Sequence, residues 1–340
     1  MRAMVCTAPL TLENQEVSLS ALGPRDVLIN VAQTGICPSD VRVYLGKSSS
    51  TKFPKILGHE TVAQVVEIGS EVASVKVGQW VVPDGIVKCG TCAACRKGRP
   101  NRCQRVRYVS GAYAEQMVVP EVNLYPIKAG TPLRAATFTE PLGCVLRGEH
   151  MLNITPGDNV LVIGCGPIGL LHTQVAKRFG ARVLVSDLKR ERMDKALALG
   201  ADVALDPQQP LREAVWAETD QYGVDAAVVA FGSARLVETA ATCLAFGGRL
   251  NIFAGIYPKD TLAIDPNLIH YNELVILGSA DNTPIEYAES LNLIERKLID
   301  VESLISDVLT LSELQRGFEL VQSQQGLKVM VEVNPRLTRV

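Results

Sequence analysis

The stretch Val160-Leu161-Val162-Ile163-Gly164-Cys165-Gly166-Pro167-Ile168-Gly169 decides the fold of the middle of this chain. Its four apolar residues predict a buried strand, and residues 170–179 have the pattern of a helix that follows it. In that context Gly164 can make the tight turn, Gly166 lets the backbone approach a pyrophosphate, and Gly169 lets the helix pack closely on the strand. The helix start then offers N–H groups and a positive dipole end to the phosphates. We therefore expect a dinucleotide site here.

A carboxylate stands at the end of the next predicted strand, residues 182–186. There Asp187 can accept hydrogen bonds from the adenosine ribose hydroxyls, and it would repel a 2′-phosphate, which favours NAD over NADP. The nearby Lys189, Arg190 and Arg192 weaken that preference, because a basic cluster can accept the extra phosphate. A tight turn without a ligand is the alternative, and the three glycines together with the terminal carboxylate argue against it.

The pattern of strands and helices divides the chain. Short β-branched runs broken by turn residues make the first 130 residues β-rich, with strands predicted at 27–31, 62–68, 80–82 and 117–119. Strands then alternate with helical stretches, which is typical of a parallel sheet with crossover helices, and they are predicted at 160–163, 182–186, 226–231, 249–254 and 274–277. We expect the tail to return to the first domain, with helices at 291–297 and 311–322 and a strand at 329–333.

Length, charge and cysteine content exclude several classes of protein. A chain of 340 residues is about right for two domains. The formal net charge of -2 provides no field that favours nucleic acid or an anionic membrane, so small molecules are the expected partners. With neither an apolar signal core near Met1 nor the ~18 apolar residues of a membrane span, we expect a soluble, cytoplasmic protein. Nine cysteines then indicate thiols and metal sites, because a reducing cytosol does not sustain disulfides.

Four of the cysteines lie close together in one segment: Cys89, Cys92, Cys95 and Cys103. Four thiolates at this spacing can close a tetrahedral shell around zinc. An iron–sulfur cluster is the main alternative, but the bacterial ferredoxin run ends with a shorter gap and a proline, whereas Gln104 follows here. A redox dithiol needs only two cysteines. Because a full thiolate shell leaves no open position, the predicted zinc is structural rather than catalytic.

A second group of metal-ligand residues lies in three short motifs: Cys37-Pro38-Ser39-Asp40, Gly58-His59-Glu60 and Thr139-Glu140-Pro141. Cys37 and His59 are normal zinc ligands, and Glu60 or Glu140 could supply a carboxylate oxygen while one position stays open. Zinc with an open position lowers the pKa of a bound hydroxyl. Ser39 could hydrogen-bond that hydroxyl and pass its proton onward. Taken singly, a cysteine or a histidine is more often a core or surface residue than a metal ligand, and Asp40 alone would most simply be a turn residue.

Together these residues resemble the medium-chain zinc-dependent alcohol and polyol dehydrogenases, in particular the sorbitol and threonine dehydrogenase branch. The motifs that carry the resemblance, over nearly the whole chain, are Gly35-Ile36-Cys37-Pro38-Ser39-Asp40, Leu57-Gly58-His59-Glu60, the four-cysteine segment, Glu140-Pro141-Leu142 and the glycine motif. Glu140 stands where other alcohol dehydrogenases of the family carry a cysteine ligand, which points to the polyol and threonine branch. The resemblance implies an α/β protein with a GroES-like β-barrel catalytic domain and a Rossmann domain with a doubly wound parallel sheet. The first would span residues 1–148, with the zinc loop at 88–104, completed by 285–340, and the second would span 149–284.

The resemblance also implies roles for individual residues. Cys37 and His59 would be ligands of a catalytic zinc. Glu60 and Glu140 would be carboxylates that bind this zinc or exchange with each other at it. Ser39 would relay the proton, and Asp40 would hold the ligands in place. Two zinc ions per chain and NAD, with NADP less favoured, are the implied cofactors. The implied nucleotide contacts are Gly164, Gly166, Pro167, Ile168, Gly169, Asp187, Arg192, Ala254, Gly255, Ile256, Ser279 and Ala280.

One residue departs from the pattern of this branch. The branch commonly has Ser/Thr-Asp-Val-His, and its histidine is thought to extend proton transfer to solvent, whereas this chain has Ser39-Asp40-Val41-Arg42. An arginine cannot be deprotonated at working pH and cannot carry the proton. Arg42 is therefore expected either to bind the cofactor or an anionic substrate group, such as that of a phosphorylated polyol, or to be a solvated surface residue.

The expected reaction is NAD-dependent oxidation of a secondary alcohol, and polyols, cyclitols, amino-cyclitols and threonine fit as substrates. Reduction of a ketone or aldehyde by the same residues in a biosynthetic pathway is a second interpretation. A non-catalytic nucleotide-binding relative is the alternative from a different class, and the presence of Cys37, His59 and Glu140 counts against it. The resemblance implies a homodimer or homotetramer, and an edge strand at residues 274–277 could pair across a symmetry axis.

Overall fold

Two compact units divide the chain. The computed structural model describes residues 1–48, 51–109 and 111–338. The first unit is Met1–Pro141 with Thr283–Val340, and the second is Leu142–Asn282. The sequence predicts these divisions after residues 148 and 284, whereas the units divide after residues 141 and 282. The first division falls earlier because one long helix, Thr139–Leu152, begins in the first unit and continues into the second.

The described part of the chain contains eighteen strands and twelve α-helices. The strands β1 to β18 are Arg2–Ala8, Thr11–Glu16, Asp26–Gly35, Lys55–Ile56, Glu60–Ile68, Trp80–Pro83, Ile86–Val87, Arg107–Tyr108, Gln116–Pro120, Leu124–Pro126, Asn159–Ile163, Arg182–Ser186, Val203–Ala204, Val224–Val229, Leu244–Ile252, Val275–Gly278, Ile305–Thr310 and Lys328–Glu332. The helices α1 to α12 are Pro38–Tyr44, Ala93–Arg96, Leu133–Ala136, Thr139–Leu152, Pro167–Arg178, Arg190–Ala198, Leu211–Glu218, Ala234–Thr242, Pro266–Tyr271, Pro284–Glu295, Leu314–Ser323 and Pro335–Thr338. Within the described part of the chain, no helix combines the length and the apolar character that crossing a membrane requires.

The second unit is built on one parallel sheet, and the prediction of such a sheet is confirmed. Its strand order is β13-β12-β11-β14-β15-β16, with every neighbouring pair parallel. This is the order of a doubly wound Rossmann sheet, in which a dinucleotide binds across the carboxyl edge where the order reverses, between β11 and β14. Leu161, Leu184 and Ala227 are fully buried, as expected for central strands that helices cover on both faces.

The first unit centres on strand β3. The main sheet has the order β10-β6-β5-β3-β18-β17, and β9 also pairs with β3. Strand β18 comes from the tail of the chain and pairs antiparallel with β3, so the tail returns to the first unit as predicted. The register places Gly35, the last residue of β3, opposite Glu60 of β5 and Met330 of β18. The residues that follow Gly35 therefore lie beside the first residues of both neighbouring strands.

An aromatic cluster in the core of the first unit fixes helix α1 against the sheet. The rings of Tyr44 and Tyr113 pack on Phe318 of α11, with ring centroids 5.1 and 5.8 Å apart. All three side chains are buried. Because α1 is only seven residues long and has little stability of its own, this packing holds the helix and its first residues in place.

Candidate active site and metal centres

Cys37 lies where strand β3 gives way to helix α1. It is the N-cap residue of α1, and Pro38 occupies the first helical turn, where a missing N–H is tolerated. The Sγ of Cys37 accepts hydrogen bonds from the backbone N of Ser39 at 3.5 Å and from its Oγ at 3.2 Å. In return, Oδ2 of Asp40 accepts from the backbone N of Cys37 at 3.4 Å, which completes a capping box. Sulfur, hydroxyl and carboxylate are therefore positioned by one helix start.

Asp40 connects this helix start to His59. Its Oδ1 lies 3.4 Å from Nδ1 of His59 and accepts from the backbone N of Gly58 at 3.1 Å. The hydroxyl of Tyr113 donates to Oδ2 at 3.0 Å. Burial by itself raises the pKa of Asp40, but the charge of His59 and these hydrogen bonds outweigh burial and keep the pKa below its usual value. Burial, followed by the charge of Asp40, raises the pKa of Tyr113 well above its ordinary value, so its hydroxyl stays a donor.

Glu60 and Lys328 form a buried ion pair at the first residues of β5 and β18. They are 1% and 5% exposed, and Nζ of Lys328 contacts Oε2 of Glu60. The same Nζ donates to the backbone O of Ile36 at 3.3 Å, which ties the pair to the residue before Cys37. A Cβ at Gly35 would collide with the Glu60 carboxylate, so this close approach needs glycine. Sequence reasoning missed Lys328 and Tyr113, because neither belongs to a motif.

Cys37, His59 and Glu60 form a group that fits a zinc ion. One ligand atom from each lies within 4.8 Å of the other two. Burial lowers the pKa of His59, but the negative charges of Asp40 and Cys37 outweigh burial and raise it well above its ordinary value, so the group attracts positive charge. Thiolate, imidazole and carboxylate are all zinc ligands, and three protein ligands leave a fourth position open. Glu140, in the first turn of α4, is not in this mutually close group of described residues.

The four-cysteine loop brings its thiols together as the sequence predicts. The Sγ atoms of Cys89, Cys92, Cys95 and Cys103 all lie within 4.8 Å of one another. Sulfur–sulfur distances of 3.5 Å from Cys92 to Cys95 and 3.9 Å from Cys92 to Cys103 are far longer than a disulfide bond of about 2 Å. Backbone N–H groups also point at the sulfurs, for example that of Cys92 towards Cys89 at 3.4 Å.

The pKa values of the thiols in this loop differ, because backbone hydrogen bonds, burial and neighbouring sulfurs act on them unequally. Backbone hydrogen bonds, first from Thr91, lower the pKa of Cys89 to about 5. Burial and the neighbouring sulfurs instead raise the pKa of Cys95 to about 12. Four thiolates this close repel one another unless a cation lies among them, and zinc deprotonates coordinating thiols. The donor set therefore fits a closed, structural zinc site.

The glycine motif adopts the geometry that its sequence predicts. Gly164 has φ +94°, and a Cβ at Gly169 would collide with the backbone O of Gly164. Among the described residues other than its chain neighbours, only Arg192 comes within 4 Å of a Cβ position at Gly166, with Nη1 at 4.0 Å, so the backbone there is open to a ligand. Asp187 accepts from the backbone N of Cys165 and of Lys189, both at 2.8 Å. Its carboxylate therefore holds the motif in shape as well as standing at the end of β12.

The other predicted nucleotide contacts lie along the same edge of the sheet. Ile168 is in the first turn of α5, residues 254–256 follow β15, and Ser279 and Ala280 follow β16. Ala254 donates its backbone N–H to Val229 at 3.2 Å. The carboxyl ends of parallel strands meet at one edge, so the structure brings all of these positions to the edge that carries the glycine motif.

Three large apolar side chains are exposed at this edge, and sequence reasoning missed them. Leu188, Phe231 and Tyr257 are 91%, 48% and 56% exposed. The Cβ of Phe231 lies 3.5 Å from a Cβ position at Gly164, and Tyr257 packs over Gly255. Exposed apolar groups clustered beside polar contacts are typical of a ligand-binding face. A large apolar residue just beyond a strand end is the only sign of such a face in the sequence, and in a single sequence it is weak evidence.

Comparison with known proteins assigns both units to families. Residues 23–129 match the family model for the alcohol dehydrogenase GroES-like domain, and residues 167–296 match that for zinc-binding dehydrogenases. A sorbitol dehydrogenase from Halalkalibacterium halodurans is 30% identical over 91% of this chain and 92% of its own. A D-arabitol-phosphate dehydrogenase from Enterococcus avium is 30% identical over a match that covers 91% of this chain and 90% of the relative. An L-threonine 3-dehydrogenase from Xanthomonas campestris pv. campestris is 31% identical over a match that covers 94% of this chain and 96% of the relative.

Solved structures agree with this assignment. An alcohol dehydrogenase from Thermus sp. ATN1 has a TM-score of 0.91 at 31% identity, covering 98% of this chain and 100% of its own. A putative zinc-binding dehydrogenase from Sinorhizobium meliloti bound to NADP has the same score at 29% identity, with 98% and 99% coverage. An alcohol dehydrogenase from Escherichia coli complexed with NADH scores 0.91 at 27% identity, with 98% and 99% coverage. The fold prediction, a GroES-like domain with a Rossmann domain, is confirmed, and the chain belongs to the medium-chain zinc-dependent dehydrogenase family.

Proposed function

We propose that this dehydrogenase oxidises a secondary alcohol with NAD at the group formed by Cys37, His59 and Glu60. The observation that carries the proposal is the approach of their three ligand atoms to within 4.8 Å of one another. A structural zinc site is closed by four side chains, whereas three ligands leave a position for a substrate oxygen. A non-catalytic nucleotide-binding protein would not require a three-ligand group with an open position.

Each residue around this group has a distinct task in the proposed reaction. When bound, zinc would supply a Lewis acid that eases loss of the hydroxyl proton, and NAD would supply the hydride acceptor. Ser39, whose Oγ is 3.2 Å from the Sγ of Cys37, would relay that proton by accepting it while passing its own hydroxyl proton on to solvent. Asp40 orients the ring of His59. Glu60 is the third ligand, and Lys328 balances its charge when the carboxylate turns away. Glu140 is assigned as the second carboxylate, which exchanges with Glu60.

The cofactor assignment to NAD rests on Asp187. Its carboxylate at the end of β12 would repel a 2′-phosphate, while Arg192, close to Gly166, offsets part of that repulsion. Similar structures are described with NADP and with NADH, so family membership leaves the choice open. We expect NAD to be preferred and NADP to be used weakly.

The proposed substrates are polyols, with or without a phosphate group, and then cyclitols and threonine. Relatives are named sorbitol, D-arabitol-phosphate and L-threonine 3-dehydrogenases. Arg42 lies one helical turn after Ser39 and is half-buried rather than fully solvated. A guanidinium there suits a phosphate or carboxylate group of the substrate. Arg42→Gln should therefore raise KM for anionic substrates and leave KM for neutral polyols unchanged.

A substrate panel tests the proposed function. Polyols, phosphorylated polyols, cyclitols and threonine are each incubated with NAD and with NADP, and NAD(P)H formation is followed by absorbance. We expect turnover with at least one secondary alcohol and its loss in Cys37→Ser, with the fold and NADH binding retained. Cys6→Ser is the matched control, because Cys6 is a buried thiol of the same unit that donates to the backbone O of Ala8 at 3.4 Å. Full activity of Cys37→Ser would exclude the proposed centre.

The proposed setting of the enzyme is a reducing compartment such as the cytoplasm. All nine cysteines are free thiols, the four of the loop among them, and free thiols are typical of proteins in reducing compartments. Metal content offers a check, since the proposal requires two zinc ions per fully loaded chain. One zinc per chain would contradict the two-site assignment.

A further inference from the structure

Glu149 and His172 form a polar pair in the core of the second unit that the proposed reaction does not use. Glu149 lies in α4 and His172 in α5, and both are 0% exposed. The Nδ1 of His172 and the Oε1 of Glu149 are 2.5 Å apart. Within the described residues, Oε2 of Glu149 and Nε2 of His172 have no hydrogen-bond partner. Apolar side chains of similar size would fill this space without unpaired polar atoms, so the pair costs stability.

The pair is packed against the segment that follows strand β15. The ring of His172 meets the ring of Phe253 edge-on, with centroids 4.6 Å apart and planes at 86°. Phe253 is the residue after β15 and directly precedes Ala254-Gly255-Ile256. The His172 ring, which Glu149 holds through Nδ1, therefore packs directly against the start of this segment.

Gly148, the residue before Glu149, lies against the end of strand β15. A Cβ at Gly148 would come within 2.8 Å of Nδ2 of Asn251, 3.2 Å of Phe253 and 3.3 Å of Cε1 of His172. Asn251 is fully buried and donates to Oγ of Ser279, just beyond β16, at 3.0 Å. The pair and the adjacent Gly148 therefore pack against the end of β15, which a hydrogen bond joins to the end of β16.

These two strand ends belong to one half of the dinucleotide crevice. Asp187 places the adenosine on the β12 side of the glycine motif. A dinucleotide crosses the point between β11 and β14, so its nicotinamide half lies towards β15 and β16. We propose that Glu149 and His172 are positioning residues for the nicotinamide half of the cofactor and do not contribute to binding of the adenosine half. This inference rests on the nicotinamide dependence proposed above.

Comparing NADH with ADP-ribose tests this division, because ADP-ribose is the same ligand without the nicotinamide ring. The double variant Glu149→Leu with His172→Leu removes all polar atoms of the pair and leaves no buried partner behind, so it should fold. We expect its Kd for NADH to rise about tenfold and its Kd for ADP-ribose to stay within about twofold of wild type, because misplacing the contacts for one ring affects only a ligand that has it. Both are measured by calorimetry, without substrate or turnover.

Two further variants make the outcome decisive. Gly148→Ala inserts a methyl group among Asn251, Phe253 and His172 while favouring the helix, and it should show the same selective loss of NADH affinity even if the double variant fails to fold. Thr219→Val is the control, because Thr219 is a buried residue of the opposite sheet edge that accepts from the backbone N of Gly223 at 2.9 Å. It should lower Tm without changing the ratio of the two Kd values.

The possible results separate this inference from the proposed function. An unchanged ratio in Gly148→Ala and in the double variant, or equal weakening of both ligands, overturns the positioning role. If wild-type protein bound neither NADH nor ADP-ribose, the proposed nicotinamide dependence itself would fail. A selective loss for NADH in the variants, with the ratio preserved in Thr219→Val, supports the assignment.

Discussion

Asp40 is the residue on which the geometry of the proposed catalytic zinc site depends most. It is 4% exposed, caps α1 through the backbone N of Cys37, and accepts from Gly58 and Tyr113. Its Oδ1 lies 3.4 Å from Nδ1 of His59, which leaves Nε2 of that ring for a metal. Carboxylates that hold a ligating histidine in this way fix both its orientation and its tautomer.

Replacing Asp40 should therefore weaken zinc binding at one site only. Asp40→Asn is expected to lower the affinity of the catalytic zinc about 10- to 100-fold, because an amide holds the His59 ring less firmly and carries no charge. Competition with a chelator measures the effect, and the zinc of the four-cysteine loop is the internal control. Tyr113→Phe removes a single donor to Asp40 and should have a smaller effect. Equal loss of both zinc ions would show that Asp40 acts on the fold rather than on the ligand.

Lys328 tests how the charge of Glu60 is balanced. Breaking a buried ion pair by removing one partner typically costs about 3–5 kcal/mol. Lys328→Met should lower the free energy of unfolding by about that amount in chelator-stripped protein, and by less in zinc-loaded protein, where the metal ion balances Glu60. Urea unfolding with and without chelator measures the difference. Lys177→Met is the control, because Lys177 pairs with Asp202 near the surface and should cost less than about 1 kcal/mol. Equal costs in both metal states would contradict an exchange of Glu60 between lysine and zinc.

At the scale of elements, the four-cysteine loop is the part of the fold that most needs a metal. Its helix α2 has only four residues, Ala93–Arg96, and none of them is buried. Because neither local helix stability nor apolar burial holds such a segment, we expect zinc binding to contribute to its folding free energy.

Removing one loop ligand should show this dependence directly. Cys95→Ser is expected to lose one zinc per chain and to lower Tm by several degrees, because three thiols no longer close the tetrahedral shell. Metal analysis and thermal unfolding measure the two effects, and Cys6→Ser, outside the loop, should change neither zinc content nor loop protection from proteolysis. A variant with one zinc and an unchanged Tm would remove the structural role.

The elements that sequence predicts best are those whose local pattern agrees with their burial. Strands β11 and β12 contain uninterrupted runs of buried apolar residues and are found within a residue of their predicted bounds. Strand β2 is missed because Thr11–Glu16 is mostly polar and none of its residues is buried. Helix α4 is missed because Pro141, Gly143 and Gly148 give its sequence a low helix propensity, which packing in the fold overrides.

In the candidate site, residues that belong to motifs are predicted from the sequence, whereas isolated residues are missed. Cys37, His59 and Glu60 belong to short motifs, and the structure brings them together. Tyr113 hydrogen-bonds to Asp40, which lies 73 positions earlier in the sequence. Lys328 hydrogen-bonds to Ile36, which lies 292 positions earlier. Single residues at such separations carry no local signal, so only the folded chain identifies them.

At the scale of the whole molecule, the two main sheets end in different kinds of edge strand. Strand β17 is a terminal strand of the first unit and carries Asp307 beside Val308, which is 38% exposed. Strand β16, Val275–Gly278, is a terminal strand of the second unit and carries no charge, and Val275 is 49% exposed. Charged residues protect an edge strand from pairing with another chain, and an uncharged apolar edge invites it.

We therefore predict a homodimer in which β16 pairs with β16 of a second copy across a twofold axis. Val275→Lys should shift the molar mass from dimer to monomer, because a charge on this edge opposes pairing with its own symmetry mate. Val308→Lys adds the same charge to the protected edge strand and should leave the mass unchanged. Light scattering after size exclusion, over a range of protein concentrations, measures both variants. If the mass of Val275→Lys matches that of wild type while Val308→Lys lowers it, the pairing edge is β17, and the argument from charge at the sheet edges is wrong.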